Sequence, residues 1–192
     1  MAKNIIAVMG ATGTQGSGVV TDLFARGRFG VRVLTRNPNS EKAKALKAQG
    51  CEVVQGDLTK PETLEPAFRG AYGAFLVTNF WDPATSTSET AQGTLAVKAA
   101  KAAGVQHLVW STLPNCKEIS GGKYEVVHFT GKALVDLEVK AAAFPHYTFV
   151  EAPMYFQNFL EMMAPQPLGD GRKGWAVPMN PAAKCVHVGD PT

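Results

Sequence analysis

Two groups of residues carry chemistry at telling spacings. The first is Gly10-Ala-Thr-Gly-Thr-Gln-Gly16, three glycines at intervals of three. A dinucleotide site needs glycine for distinct reasons: Gly10 for a tight turn, Gly13 for backbone approach to a pyrophosphate, Gly16 for close helix-strand packing. Thr12, Thr14 and Gln15 stand between them, at the helix start whose amides would receive phosphate. About 20 residues beyond such a turn, an NAD site places a carboxylate on the ribose 2′-hydroxyl. This sequence has Arg36 there. A guanidinium meets a 2′-phosphate with charge-assisted hydrogen bonds, so the expected cofactor is NADP(H). Lys42 and Lys44 add long-range attraction or are surface charges.

The second group is His128 and Lys132, four apart and so on one face of a helix. Lysine there can touch a nicotinamide ribose and histidine can exchange a proton, the pair a reductase would use. A neighbouring ammonium and an oxidised nicotinamide both disfavour a protonated imidazole, so His128 is equally read as a partly buried helix histidine. Asp57, with Leu58 beside it, is placed to accept from an adenine amino group, and Thr78 and Asn79 follow the next apolar run. All lie at strand ends, where open α/β sheets bind ligands. Ser111 and Thr112 could position a carbonyl substrate or cap local backbone. Tyr155, with Phe156 and Phe159, either covers a nicotinamide or forms a subdomain interface.

These residues need a scaffold, and the apolar runs supply one. Asn4–Met9 and Gly73–Val77 read as buried parallel strands, Val31–Thr35 and Glu52–Gln55 as β-branched strands, and His107–Ser111 and Tyr147–Glu151 complete six. Helical patterns fill the intervals. The first carries Val19, Val20, Leu23 and Phe24, with Gly27 as its stop; the second is capped by Ser40 or Asn39, with Ala43 and Leu46 inward; the third is capped by Thr59 or Lys60, with Pro61 at an early position and Leu64, Ala67 and Phe68 inward. A polar loop through Ser88 precedes an alanine-rich helix from about Glu89 to Ala103, with Leu95 and Ala99 on one stripe. Pro114–Gly122 reads as a loop, and a helix from about Tyr124 to Ala142 presents Phe129, Ala133, Leu134 and Leu137 as its apolar side. Alternating strands and helices imply a Rossmann-type doubly wound parallel sheet over residues 1–152.

From residue 153 the pattern changes. A short helix, a Pro- and Gly-rich connection from Pro165 to Gly174, strands at Trp175–Val177 and Cys185–Val188 and a helix start at Asp190-Pro191 read as a small, incomplete C-terminal subdomain. The expectation is a fragment, a shortened natural form or a truncated product.

Composition narrows the functional classes. With 45% hydrophobic and 18% charged residues, the 192-residue chain is of ordinary globular type. A net charge of +3 without a basic block argues against direct nucleic-acid binding, and no apolar run reaches the roughly 20 residues of a membrane span. Cys51, Cys116 and Cys185 form neither a CxxC pair nor a disulfide framework, so no metal site is expected and a reducing, cytoplasmic compartment fits.

With these positions assembled, the sequence resembles the NmrA-like family, an atypical branch of the short-chain dehydrogenase/reductases. The motifs that carry the resemblance are the 10–16 turn, Val-Arg-Val-Leu-Thr-Arg-Asn-Pro ending at Pro38, Val-Val-Gln-Gly-Asp ending at Asp57, and Val-Thr-Asn-Phe-Trp ending at Trp81. In the HSCARG-like subgroup, too, His-Phe-x-Gly-Lys, here His128–Lys132, replaces the usual Tyr-x-x-x-Lys. The resemblance implies NADP(H) binding without robust dehydrogenase activity. It also implies sensing of the NADPH/NADP balance, transmitted to a protein partner such as a transcriptional regulator, with a homodimer and a nuclear as well as cytoplasmic location compatible. Phe129-Thr-Gly-Lys132 is also similar to the Phe-x-x-Lys of isoflavone reductase-like enzymes, which keeps an NADPH-dependent quinone or enone reductase as the alternative.

Overall fold

An apolar run that can bury both its faces belongs in the middle of a sheet, and β1 (Ile5–Met9) is there. It lies between β2 (Gly30–Thr35) and β4 (Gly73–Leu76), with β3 (Glu52–Gln55) outside β2 and β5 (His107–Thr112) and β6 (His146–Glu151) beyond β4. The order β3-β2-β1-β4-β5-β6 is parallel throughout, so every strand ends at the same edge. The chain moves outward from β1 to β3 and then crosses back to β4, which opens a crevice at the switch point between β1 and β4. This is the expected Rossmann-type fold.

The computed structural model describes residues 2–82, 89–160, 163–175 and 188–189. Period-two alternation divides the core between two faces. Ala7, Met9, Ala74 and Leu76 pack on one side with Leu64, Phe68, Val97, Trp110, Val135 and Val139, whereas Val8 and Phe75 pack on the other with Val20, Val31 and Val33. The first face carries α3 (Leu64–Phe68), α4 (Glu89–Ala102) and α6 (Val127–Ala141), and the second α1 (Thr14–Arg26) and α2 (Glu41–Ala48). Ser40 caps α2 by accepting from the Ala43 amide, and Gly27 closes α1 in the left-handed region at φ +61°. At the sheet edge, β6 is largely exposed.

Two helices are rolled differently from the expectation. The buried side of α6 is Thr130, Lys132, Val135 and Val139, while Leu134 and Leu137 face outward. In α4, Gly93, Ala96, Val97 and Ala100 are buried and Leu95 is exposed. Close approach of the two helices decides this. A Cβ at Gly93 would lie 2.8 Å from Val135 Cγ2, and one at Gly131 would lie 3.1 Å from Thr90 Oγ1. Small residues must meet at that seam, so the leucines rotate away. α6 starts at Val127, three residues later than expected, and the 114–122 loop contains a short helix, α5 (Cys116–Ile119), capped by Asn115.

The residues divide into two compact units, Met1–Glu151 and Ala152–Pro191. In the second, Met154–Tyr155 forms a two-residue strand, β7, before a 3-10 turn at Phe156–Phe159, where a short helix was expected. Gln166–Pro167 and Lys173–Gly174 form β8 and β9, an antiparallel pair inside the segment read as a plain connection. Val188–Gly189, β10, pairs parallel to β7. Residues 83–88 of the loop through Ser88, residues 176–187 and the helix start at 190–191 lie outside the described residues.

Candidate functional site

The glycine turn is a cradle built from backbone. Gly10 follows β1 at φ +70°, where a side chain would be strained, and its carbonyl accepts from the Gly13 amide at 2.9 Å. A Cβ at Gly16 would fall 2.2 Å from the Gly10 carbonyl oxygen and 2.7 Å from the Ala11 nitrogen, so only glycine lets α1 start this close to β1. Gly13 is the N-cap of α1, no side chain caps it, and the first turn holds no acid. That end presents the positive pole of a 13-residue helix to whatever lies beyond it. These features fit a dinucleotide pyrophosphate. Ser111, buried at the end of β5, donates to Gln15 Oε1 at 2.7 Å and so ties the start of α1 to the far side of the crevice.

Across the crevice, α6 projects Lys132 toward the end of β4. Its Nζ donates to the Thr78 carbonyl at 2.8 Å and to Thr78 Oγ1 at 2.9 Å, and lies 2.8 Å from Glu89 Oε1. An ammonium has three hydrogens, so these three partners take them all. Thr78 Oγ1 in turn donates to Glu89 Oε1 at 2.7 Å. The Lys132 side chain is 11% exposed and that of Glu89 4%. Burial pulls the Lys132 ammonium below its ordinary value, and the Glu89 carboxylate acts against that. The other Glu89 oxygen, Oε2, is buried without a hydrogen-bond partner among the described residues. Trp110 flanks the group, its Nε1 donating to the Lys132 carbonyl at 3.3 Å and its ring centroid 5.6 Å from Nζ.

After β4 the chain makes a tight turn. Asn79 Oδ1 accepts from the Trp81 amide at 3.1 Å and the Asn79 carbonyl accepts from Asp82 at 3.3 Å. The turn brings Asp82 to Arg36, whose Nη1 donates to Asp82 Oδ2 at 2.7 Å. It also brings aromatic rings to His128, with Trp81 5.3 Å and Phe80 5.5 Å away, while Phe129 meets the ring edge-on at 4.8 Å. His128 is thus packed among aromatics.

The remaining expected residues divide. Asp57 Oδ1 accepts from the Thr59 amide and hydroxyl at 2.9 and 2.7 Å, and Asp57 itself is buried, so one of its oxygens holds the turn after β3. Leu58 packs against the main core, Thr12 is half-buried and Thr14 is exposed at the start of α1. Thr112 is buried at the end of β5 beside Asp136, one turn beyond Lys132 on α6. Burial raises the Asp136 carboxyl, against Thr112, Trp110 and Lys140. Tyr155 belongs to the second unit. Among the described residues no cluster of metal-ligating side chains occurs, and no helix is long and apolar enough to cross a membrane.

A known family model, described as the NmrA-like family, matches residues 2–191 of this chain. The chain belongs to the NmrA-like family. Among curated family members, the NmrA-like family domain-containing oxidoreductase himF of Aspergillus japonicus is 38% identical over 160 residues, covering 82% of this chain and 48% of that protein. The chain spans about half the length of the curated relatives it matches. The crystal structure of NmrA, a negative transcriptional regulator, superposes with TM-score 0.82 at 29% identity, covering 98% of this chain and 58% of that one. NmrA has been solved with NAD and with NADP. The NADPH-dependent quinone oxidoreductase QOR2 from Escherichia coli, solved with NADPH, gives TM-score 0.67 at 26% identity, over 81% of this chain and 51% of that one.

The roles of four residues in this NmrA-like site were not legible in the sequence. Glu89 was expected as the first residue of an alanine-rich helix, and an acid directly after a Ser/Thr-rich loop gives no sign of burial. Asp82 stands 46 residues from Arg36 and joins it only through the fold. Phe80 and Trp81 were legible as a motif, but their packing on His128 was not.

Proposed function

We propose that this protein is an NADP(H)-binding regulator of the HSCARG-like subgroup that reports the NADPH/NADP balance to a protein partner and has little dehydrogenase activity of its own. Gly10, Thr12, Gly13, Thr14, Gln15 and Gly16 would hold the pyrophosphate end, and Arg36 the 2′-phosphate. Asp57 and Leu58 would flank the adenine, with Thr78, Asn79 and Lys132 toward the nicotinamide. Bound there, the nicotinamide would supply the hydride donor or acceptor. The observation that carries the regulator reading is the commitment of Lys132: all three of its hydrogens turn inward, to Thr78 and Glu89. The lysine of the expected chemical pair is a buried strut, and His128 is packed among aromatic rings. The reading includes a cytoplasmic and nuclear location and a homodimer. Calorimetry with NADP, NADPH and NAD tests the nucleotide part, with NADP expected to bind more tightly than NAD. Equal affinities, unchanged in Arg36→Ala, would remove the 2′-phosphate argument. Sedimentation with and without nucleotide tests the dimer, and the partner part fails if nucleotide leaves every interaction of the protein unchanged.

A second reading, an NADPH-dependent reductase of a quinone or enone, is favoured by the names of himF and QOR2. Lys132 would orient the nucleotide and His128 or water would supply the proton. NADPH oxidation against a quinone and enone panel separates the two. Turnover that Lys132→Met abolishes while nucleotide affinity is retained would replace the regulator reading by this one.

A further inference from the structure

We infer that Asp82 sets how strongly this chain discriminates NADP(H) from NAD(H), by competing with the 2′-phosphate for Arg36. The inference rests on the nucleotide reading above. Arg36 Nη1 and Asp82 Oδ2 are 2.7 Å apart, and among the described residues Asp82 is the one carboxylate within ion-pairing distance of that guanidinium. The Asn79 turn fixes where the carboxylate stands, since Asn79 Oδ1 holds the Trp81 amide and its carbonyl holds the Asp82 amide. Exposure is unequal. The Asp82 side chain is 18% exposed and that of Arg36 62%, so the anion is sheltered and the cation is within a ligand's reach.

A 2′-phosphate arriving at Arg36 therefore meets a cation that is already neutralised, beside an anion that stays in place. The two anions must share one guanidinium and repel each other. A nucleotide with a free 2′-hydroxyl leaves the Arg36–Asp82 pair intact and strands no unpaired charge. Asp82 thus lowers NADP(H) affinity, leaves NAD(H) affinity alone and compresses the preference that Arg36 creates. The opposite role, a buttress presenting Arg36 to the phosphate, predicts the opposite sign.

Asp82→Asn decides, because it keeps the size and an acceptor oxygen for Nη1 and removes only the charge. Titrated at low salt, the variant should bind NADP about fivefold more tightly, the upper range for a partly exposed ion pair, and NAD within about twofold. The gain should shrink as salt screens the carboxylate and vanish in the Arg36→Ala background. Asp82→Ser, judged with Asp82→Asn by circular dichroism for retained fold, carries the same expectation. An unchanged NADP-to-NAD ratio, or weaker NADP binding, overturns the role of Asp82 while Arg36→Ala still loses NADP. Equal affinity for both nucleotides in wild type, Arg36→Ala and Asp82→Asn alike overturns the nucleotide reading as well.

Discussion

Two cation-carboxylate pairs stand at the same edge of one sheet with almost the same separation, 2.7 Å for Arg36–Asp82 and 2.8 Å for Lys132–Glu89. Their surroundings differ completely. Arg36 is mostly in water, whereas both partners of the second pair are buried. Distance alone would rank them as equals, but solvent decides what each does. An exposed pair contributes about 0–1 kcal/mol and breaks cheaply when a better anion arrives. A buried one is expensive to leave half made, because the surviving charge has neither water nor partner. One side of the crevice can therefore exchange partners, and the other is an internal brace joining α4, α6 and the end of β4.

The contrast breaks most visibly at Glu89. Glu89→Ala strands the Lys132 ammonium in a site it cannot leave and is expected to cost about 3–5 kcal/mol in urea denaturation. Glu89→Leu combined with Lys132→Met should recover most of that loss, because the burial then involves no charge. If the single variant unfolds at the same urea concentration as wild type, the pair is no brace and the comparison collapses.

On the open side the largest effect comes from backbone. Gly16→Ala puts a Cβ 2.2–2.7 Å from three atoms of Gly10 and Ala11, none of them on a flexible side chain. Forcing α1 away from β1 should cost about 3 kcal/mol and remove nucleotide binding. Calorimetry and thermal melting check the two halves separately. Arg36→Ala should separate them in the other direction, with stability within about 0.5 kcal/mol of wild type and NADP affinity down about 10- to 100-fold, the worth of charged hydrogen bonds. A variant that lost stability instead would show Arg36 to be a second brace.

How far these pairs could be read in advance follows from the range of the signals. The central strands were legible because a buried parallel strand is a local apolar run, the exposed edge strands β3 and β6 because they recur at the same βα interval, and the glycine turn because each glycine answers a local backbone demand. Arg36 was legible by its spacing from that turn. Its partner was not, since Asp82 reaches it only once β2 and β4 lie on either side of β1. Lys132 was taken as a residue facing a ligand, and its inward commitment depends on Glu89, whose burial no neighbouring residue announces. The leucines of α6 misled for a related reason. Hydrophobicity along a helix reports what could be buried, and the seam at Gly93 and Gly131 determines what is.

The subtlest test concerns a half-buried acid on the helix that carries Lys132. Asp136 faces Thr112 and Trp110, and its Oδ1 is buried without a hydrogen-bond partner among the described residues. Burial, with a smaller push from the Glu151 carboxylate, holds its carboxyl above the ordinary 3.8, while Thr112, Trp110 and Lys140 partly offset this. The sign follows from the protons bound in each state. Just above 3.8 the unfolded chain has released a proton that the folded chain retains, so stability falls with rising pH through this window and the full loss remains at neutral pH. Lys132, pulled below 10.5, runs the other way, with stability rising with pH across the window beneath that value. Asp136→Asn removes the first dependence and leaves the second. Relative to wild type it should gain stability as pH climbs from below 3.8 and then hold a constant advantage at neutral pH, the smallest of the four effects because several groups oppose the burial. Subtracting wild type cancels the other carboxylates, and stability curves that stay parallel at every pH would mean that Asp136, unlike Lys132, is fully compensated where it sits.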